Sequence, residues 1–300
     1  MGKKNQYLVT GLATFCLSLI GFVLFQLGLT GLGYTFFIGV PIGIGYFLGL
    51  RISWNLSLII AAGIGFGAFF ILLITAQLEG MLCIVMLLPL FVAVVLLGIW
   101  IGYTIRELLA KGKKGKNIRV SLYPLLILLF TGTIEHFFTS KYEYAKVEST
   151  IHLPYDAATV YDFIKSVDTL NGEKSLLMYL GLPVPKKCIL DKEEVGAKRI
   201  CYFDEGTIEE KVTEIKRGEL IRMTVTDYKL PGFKWLKFDD AIYRFTEHDG
   251  ITELTRITTY RSQLKPRVYW EFWEKRAIQA QHEYVLYDLK RRLDAERNKN

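Results

Sequence analysis

Residues 149–168 read STIHLPYDAATVYDFIKSVD, and this stretch decides what the second half of the chain is. From Tyr144 to Leu153 the residues alternate as a strand does, and Pro154 breaks the run. Asp156 suits the N-cap of a helix that carries Val160, Phe163, Ile164 and Val167 on one stripe. A strand followed by an amphipathic helix opens a water-soluble domain. What precedes it, residues 1–140, reads instead as lipid-embedded helix.

The chain of 300 residues has a net charge of +7 and 51% hydrophobic residues, a length that suits two domains. Its charge is unevenly placed. Residues 1–140 hold nine Lys/Arg against three Asp/Glu, whereas residues 141–300 hold 28 against 27. The nearly neutral second part carries no electrostatic footprint for nucleic acid.

A membrane-crossing helix needs about 20 mainly apolar residues. Five segments qualify by hydropathy, at 7–28, 33–50, 56–75, 81–103 and 119–138, which predicts an α-helical membrane bundle over residues 1–140 and a second domain over 141–300. The first run is longer than a signal-peptide core and lacks a small-residue cleavage site, so it reads as a retained anchor. Lys3, Lys4, Arg51, Arg106, Lys111, Lys113, Lys114, Lys116 and Arg119 fall on one side if the N-terminus is cytoplasmic, and the opposite loops near Thr30 and Gln77–Gly80 hold none. The positive-inside bias then places the chain in a cytoplasmic (inner) membrane with its second domain outside the cytoplasm. A re-entrant second span would reverse that placement.

Three small-residue patterns, Gly39-x-x-x-Gly43, Gly45-x-x-x-Gly49 and Gly63-x-x-x-Gly67, let helices approach closely, either within the bundle or against a second copy or another membrane protein. Ionisable residues are almost absent from the spans, which disfavours a transporter or pump. The basic loop TIRELLAKGKKGKNIR serves orientation or anionic lipid head groups equally well.

Beyond Leu153 the periodicity predicts six further strands. Lys187–Leu190 and Ala197–Phe203 flank DKEEVG, Thr207–Lys216 and Glu219–Tyr228 flank Gly218, and Trp235–Glu247 and Ile251–Leu264 flank the hairpin turn HDG. A long helix starts near Pro266 and runs without a breaker to about Ala295.

This order resembles the helix-grip fold of the START-like superfamily, which includes the polyketide cyclase/dehydrase and lipid-transport proteins. The residues that carry the likeness are the opening STIHLPYDAATVYDFIKSVD, VGAKRICYF, EEKVTEIKRGELIRMTV, YRFTEHDGITELTRITTY and the ending PRVYWEFWEKRAIQAQHEYVLYDLKRRLDAE. The resemblance covers residues 143–296 and implies a curved antiparallel sheet around the terminal helix, with a cavity for a lipid or other hydrophobic small molecule. Its expected lining is Ile221, Met223, Val225, Ala241, Tyr243 and Phe245 from strands, and Trp273, Ala277, Gln281 and Tyr284 from the helix. The same stripe also suits ordinary core.

No metal, cofactor or nucleotide motif accompanies this pattern: His152, His248 and His282 lie on separate elements without zinc spacing, and no phosphate loop or GxSxG occurs. His282 alone is placed to reach the cavity as an acid or base. Cys188 and Cys201 come opposite each other, as a disulfide requires, if the hairpin pairs Leu190 with Arg199. The aromatic-basic stretch YKLPGFKWLKF suits a gate at the cavity mouth or a plain strand start, and PRVYWEFWEKR offers similar interfacial residues. Three readings stay open: a membrane-anchored binder of a hydrophobic molecule, a polyketide-cyclase-like enzyme, and a sensor or interaction protein with a filled cavity.

Overall fold

The computed structural model describes residues 3–26, 33–51, 56–76, 78, 80–111, 142–230 and 236–299. The chain forms two compact units, Met1–Lys141 with Gln263–Tyr269, and Tyr142–Ser262 with Trp270–Asn300.

The first unit is helical: α1 (Lys3–Gln26), a π-helical turn (Thr35–Gly39) running into α2 (Val40–Arg51), α3 (Leu56–Thr75) and α4 (Met81–Lys111). Polar residues inside the apolar helices satisfy themselves locally. Thr10, Thr14 and Ser18 each donate to the carbonyl four residues earlier, at 2.8–2.9 Å. Two helical stretches are long and apolar enough to cross a membrane, Asn5–Val23 and Met81–Leu108; Thr35–Leu50 and Ile59–Thr75 are shorter apolar stretches. The expectation of five spans is thus corrected to two among the described residues, and the fifth expected span, 119–138, lies outside them. The multi-pass topology drawn from five spans loses its basis with them. At the second expected span, 33–50, the helical stretch Thr35–Leu50 falls short of the roughly 20 residues a crossing needs.

Glycines set the spacing of these helices. A Cβ on Gly45 or Gly49 of α2 would stand 3.0 Å from the Cα of Gly98 or Gly102 of α4, and it would run into the Val95 or Ile99 carbonyl. Gly65 of α3 meets the Gly11 carbonyl of α1 in the same manner. Gly63 and Gly67, on the expected motif of α3, have nothing within 4 Å among the described residues.

The second unit follows the order β1 (Glu143–Leu153), α5 (Ala157–Lys165), α6 (Leu176–Tyr179), β2 (Pro185–Leu190), β3 (Lys198–Phe203), β4 (Gly206–Lys216), β5 (Leu220–Lys229), β6 (Leu236–His248), β7 (Ile251–Ser262) and α7 (Arg267–Arg297). Asp156 caps α5 by accepting the Thr159 N–H at 2.8 Å, and Ala157, Val160, Tyr161 and Ile164 are the buried stripe of that helix. The seven strands form one antiparallel sheet in the order β1-β7-β6-β5-β4-β3-β2, so the first strand closes against the last. Asp249 and Gly250, at φ 51° and 73°, make the two-residue turn between β6 and β7, since both positions need a left-handed backbone.

Register shifts between Glu209 and Glu210, between Val212 and Glu214, and between Phe238 and Ala241 interrupt the ladders. Such bulges bend and twist strands, which is how a long sheet curls around a helix. The inner face receives α7, whose buried positions Trp270, Glu274, Ala277, Ile278, His282, Val285, Leu289 and Leu293 recur at helical spacing.

Candidate functional site

A cavity of about 50 Å³ lies between the sheet and α7, with room for a few water molecules. Four of the ten residues expected to line it do so: Val225, Ala241, Tyr243 and Gln281. Ile221, Met223, Phe245, Ala277 and Tyr284 are buried as well but pack into the core around it, and Trp273 is half-buried on α7. The sheet closes on the helix tightly enough for side chains to fill most of the space between them.

The register explains which side chains meet there. Arg199 of β3 stands directly opposite Glu210 of β4, and Glu210 opposite Val225 of β5. Tyr243 and Ala241 of β6 face Arg256 and Thr258 of β7. Directly opposed residues share a face of the sheet, so these two rows enter the cavity together.

Much of this lining is polar. The Arg199 guanidinium donates to Glu210 at 2.8 Å and to the Lys165 carbonyl at 3.1 Å; Arg199 is 3% and Glu210 6% exposed, so they form a buried ion pair. Arg199 and Arg256 each lie over the Tyr243 ring, 5.9 and 5.4 Å from its centre. Asp240 accepts a hydrogen bond from the Thr224 hydroxyl at 2.7 Å.

His282 also lines the cavity and is 1% exposed. Its Nε2 stands 2.8 Å from the Thr258 hydroxyl and its Nδ1 3.0 Å from the Ser149 hydroxyl. Burial, assisted by the nearby Arg256 charge, holds the imidazole well below its ordinary value, so the ring is neutral. In either tautomer one nitrogen donates and the other accepts, which leaves no lone pair directed at a substrate.

The polar strand members Arg199, Glu210, Asp240, Arg256 and Thr258 escaped the sequence reading, which took only apolar and aromatic residues from the strands. Their signal was parity. Arg199 shares its parity with buried Ala197 and Cys201, and Arg256 with buried Leu254 and Thr258, so both charges occupy inward positions.

Cys188 and Cys201 are joined across β2 and β3 with their Cα atoms 4.0 Å apart, in a register that pairs Leu190 with Arg199. Both border the cavity. The central part of the expected gate, residues 231–235, lies outside the described residues. Beside it, the Tyr228 hydroxyl donates to the Leu236 carbonyl at 3.1 Å.

A curved seven-stranded antiparallel sheet closed by its first strand and gripping a C-terminal helix defines the second unit as a helix-grip domain. No family model matches the chain, and no curated protein does. Among solved structures it is similar to a START superfamily protein from Mycobacterium smegmatis, at 12% identity and a TM-score of 0.36 over 50% of this chain and 97% of that one. A polyketide-cyclase-like protein from Corynebacterium glutamicum matches at 20% identity and a TM-score of 0.31, over 51% of this chain and 94% of that one. The major latex-like protein of Panax ginseng matches at 11% identity and 0.32, over 50% and 97%. The fold assignment rests on the strand order and register described above.

Proposed function

We propose that the helix-grip unit binds a small hydrophobic or amphipathic molecule between its sheet and α7, held beside a membrane by the apolar helices of the first unit. The observation that carries this reading is the cavity itself, enclosed by side chains from β2 to β7 and α7 and left unfilled by them. Drug-sized ligands occupy pockets of roughly 300–1,000 Å³. The bound part of the ligand is therefore small, or the helix and strands separate to admit more.

The membrane part of the proposal draws on Asn5–Val23 and Met81–Leu108, and on the nine Lys/Arg of residues 1–140. We place the second unit in an oxidising compartment on the ground of the Cys188–Cys201 bond alone, which would persist there. The open glycine face of Gly63 and Gly67 suits a second copy or another membrane helix as a partner.

The test is native mass spectrometry of the full chain released from its own membranes, against an Ala241→Phe variant that fills the cavity. Ala241 is 5% exposed and borders the cavity. Wild type is expected to carry an apolar molecule that the variant lacks. The same lipids on both proteins would sink the reading. The polar lining favours a second reading, a polyketide-cyclase-like enzyme, and recovery of a bound molecule chemically altered by the chain would favour it. The occupied hydrogen bonds of His282 and Glu210 weigh against it.

A further inference from the structure

Among the described residues, one cation of the cavity lining has no carboxylate paired with it. Arg256 sits on β7 between its register partners Tyr243 and Ser149, and its Nε and Nη1 are shielded from solvent without a hydrogen-bond partner. Its neighbour Arg199 differs, being paired with Glu210 and a backbone carbonyl. A guanidinium stays charged even when buried. Donors that are both charged and unmet in a protein interior are unfavourable, so such a group marks a place where a ligand or water supplies acceptors.

The lining indicates which acceptor fits. One unpaired positive charge balances one negative charge, and the carboxylates of Glu210 and Asp240 in the same lining would repel a second. About 50 Å³ suits a compact anionic group better than a phosphate ester with its glycerol. Next to these groups Val225, Phe238, Ala241, Ile278 and Val285 supply an apolar wall for whatever the anion is attached to.

We propose that Arg256 anchors the carboxylate of an amphipathic ligand, an inference that rests on the binding function proposed above. The carboxylate takes the unused guanidinium donors, and the apolar portion lies against the wall between β5, β6 and α7. Tyr243 holds the guanidinium in place through its ring.

The experiment compares hexanoate with hexanol, which share a chain and differ in the anion. Binding to the full-length protein in lipid nanodiscs is measured by calorimetry, with empty nanodiscs subtracted. Wild type is expected to prefer hexanoate, and Arg256→Met to weaken hexanoate by roughly tenfold to a hundredfold, as loss of a charged hydrogen bond implies, while leaving hexanol unchanged. Arg256→Lys should recover part of the preference. Equal affinity of wild type for both probes, or an unchanged hexanoate affinity in Arg256→Met, overturns the anchor while the binding function stands. Failure of wild type to bind either probe overturns both. If Arg256→Met does not fold, the wild-type preference and its change in Arg256→Lys decide the matter.

Discussion

His282 shows how a residue that invites a catalytic reading is bound into the fold instead. It links β1 and β7 to α7 through two hydroxyls, and it does so as a neutral ring because burial and Arg256 oppose its protonation. The consequence for stability has a definite sign. The folded state binds its proton only well below the ordinary value of 6.5, whereas the unfolded state takes one up near it. The stability from the neutral ring is fully present above that ordinary value and is lost as pH falls beneath it, at a limiting slope of about 1.4 kcal/mol per pH unit. Denaturation of the full chain between about pH 7.5 and 5.5 should show this loss, and His282→Gln should flatten it. An identical pH profile in the variant would mean that other groups govern acid stability.

Among the elements, the packing of α2 on α4 depends on glycine at four positions. Gly45 and Gly49 meet Gly98 and Gly102 closely enough that a side chain on either helix would strike the backbone of the other. In the membrane setting proposed above, lipid would give apolar surfaces no incentive to associate, and close approach of the backbones would hold the pair. Gly49→Ile or Gly102→Ile should separate the helices and lower the melting temperature of the detergent-extracted chain. Gly63→Ala, with nothing within 4 Å, should leave the melting temperature unchanged in the monomer. A stable Gly49→Ile protein would show that other contacts hold this helix pair.

The whole molecule combines an apolar helical unit with a disulfide-bearing helix-grip unit, and the two make linked demands on location. If the second unit faces an oxidising compartment, Cys188 and Cys201 of membrane-isolated protein should resist alkylation until a reductant is added, and a phosphatase fused after Asn300 should be active. An active cytoplasmic reporter at the same position, with both thiols alkylated directly, would place the unit inside. Loss of the bond through Cys188→Ser should cost about 3 kcal/mol on the chain-entropy account, given a separation of 13 residues.

The sequence by itself determined the elements of the second unit. Strict alternation from Tyr144 to Leu153, the HDG turn, Asp156 before an apolar stripe and an unbroken terminal helix are local signals, and each acts through the backbone geometry of a few residues. The hairpin register that brings Cys188 to Cys201 stayed conditional in the sequence, and the observed pairing of Leu190 with Arg199 decided it. Only the tertiary structure decided the character of the cavity. How far the sheet curls depends on bulges within β4 and β6 that alternation does not reveal, and that curl consigned Ile221, Met223 and Phe245 to core. It also brought Arg199, Glu210 and Arg256 together from three strands.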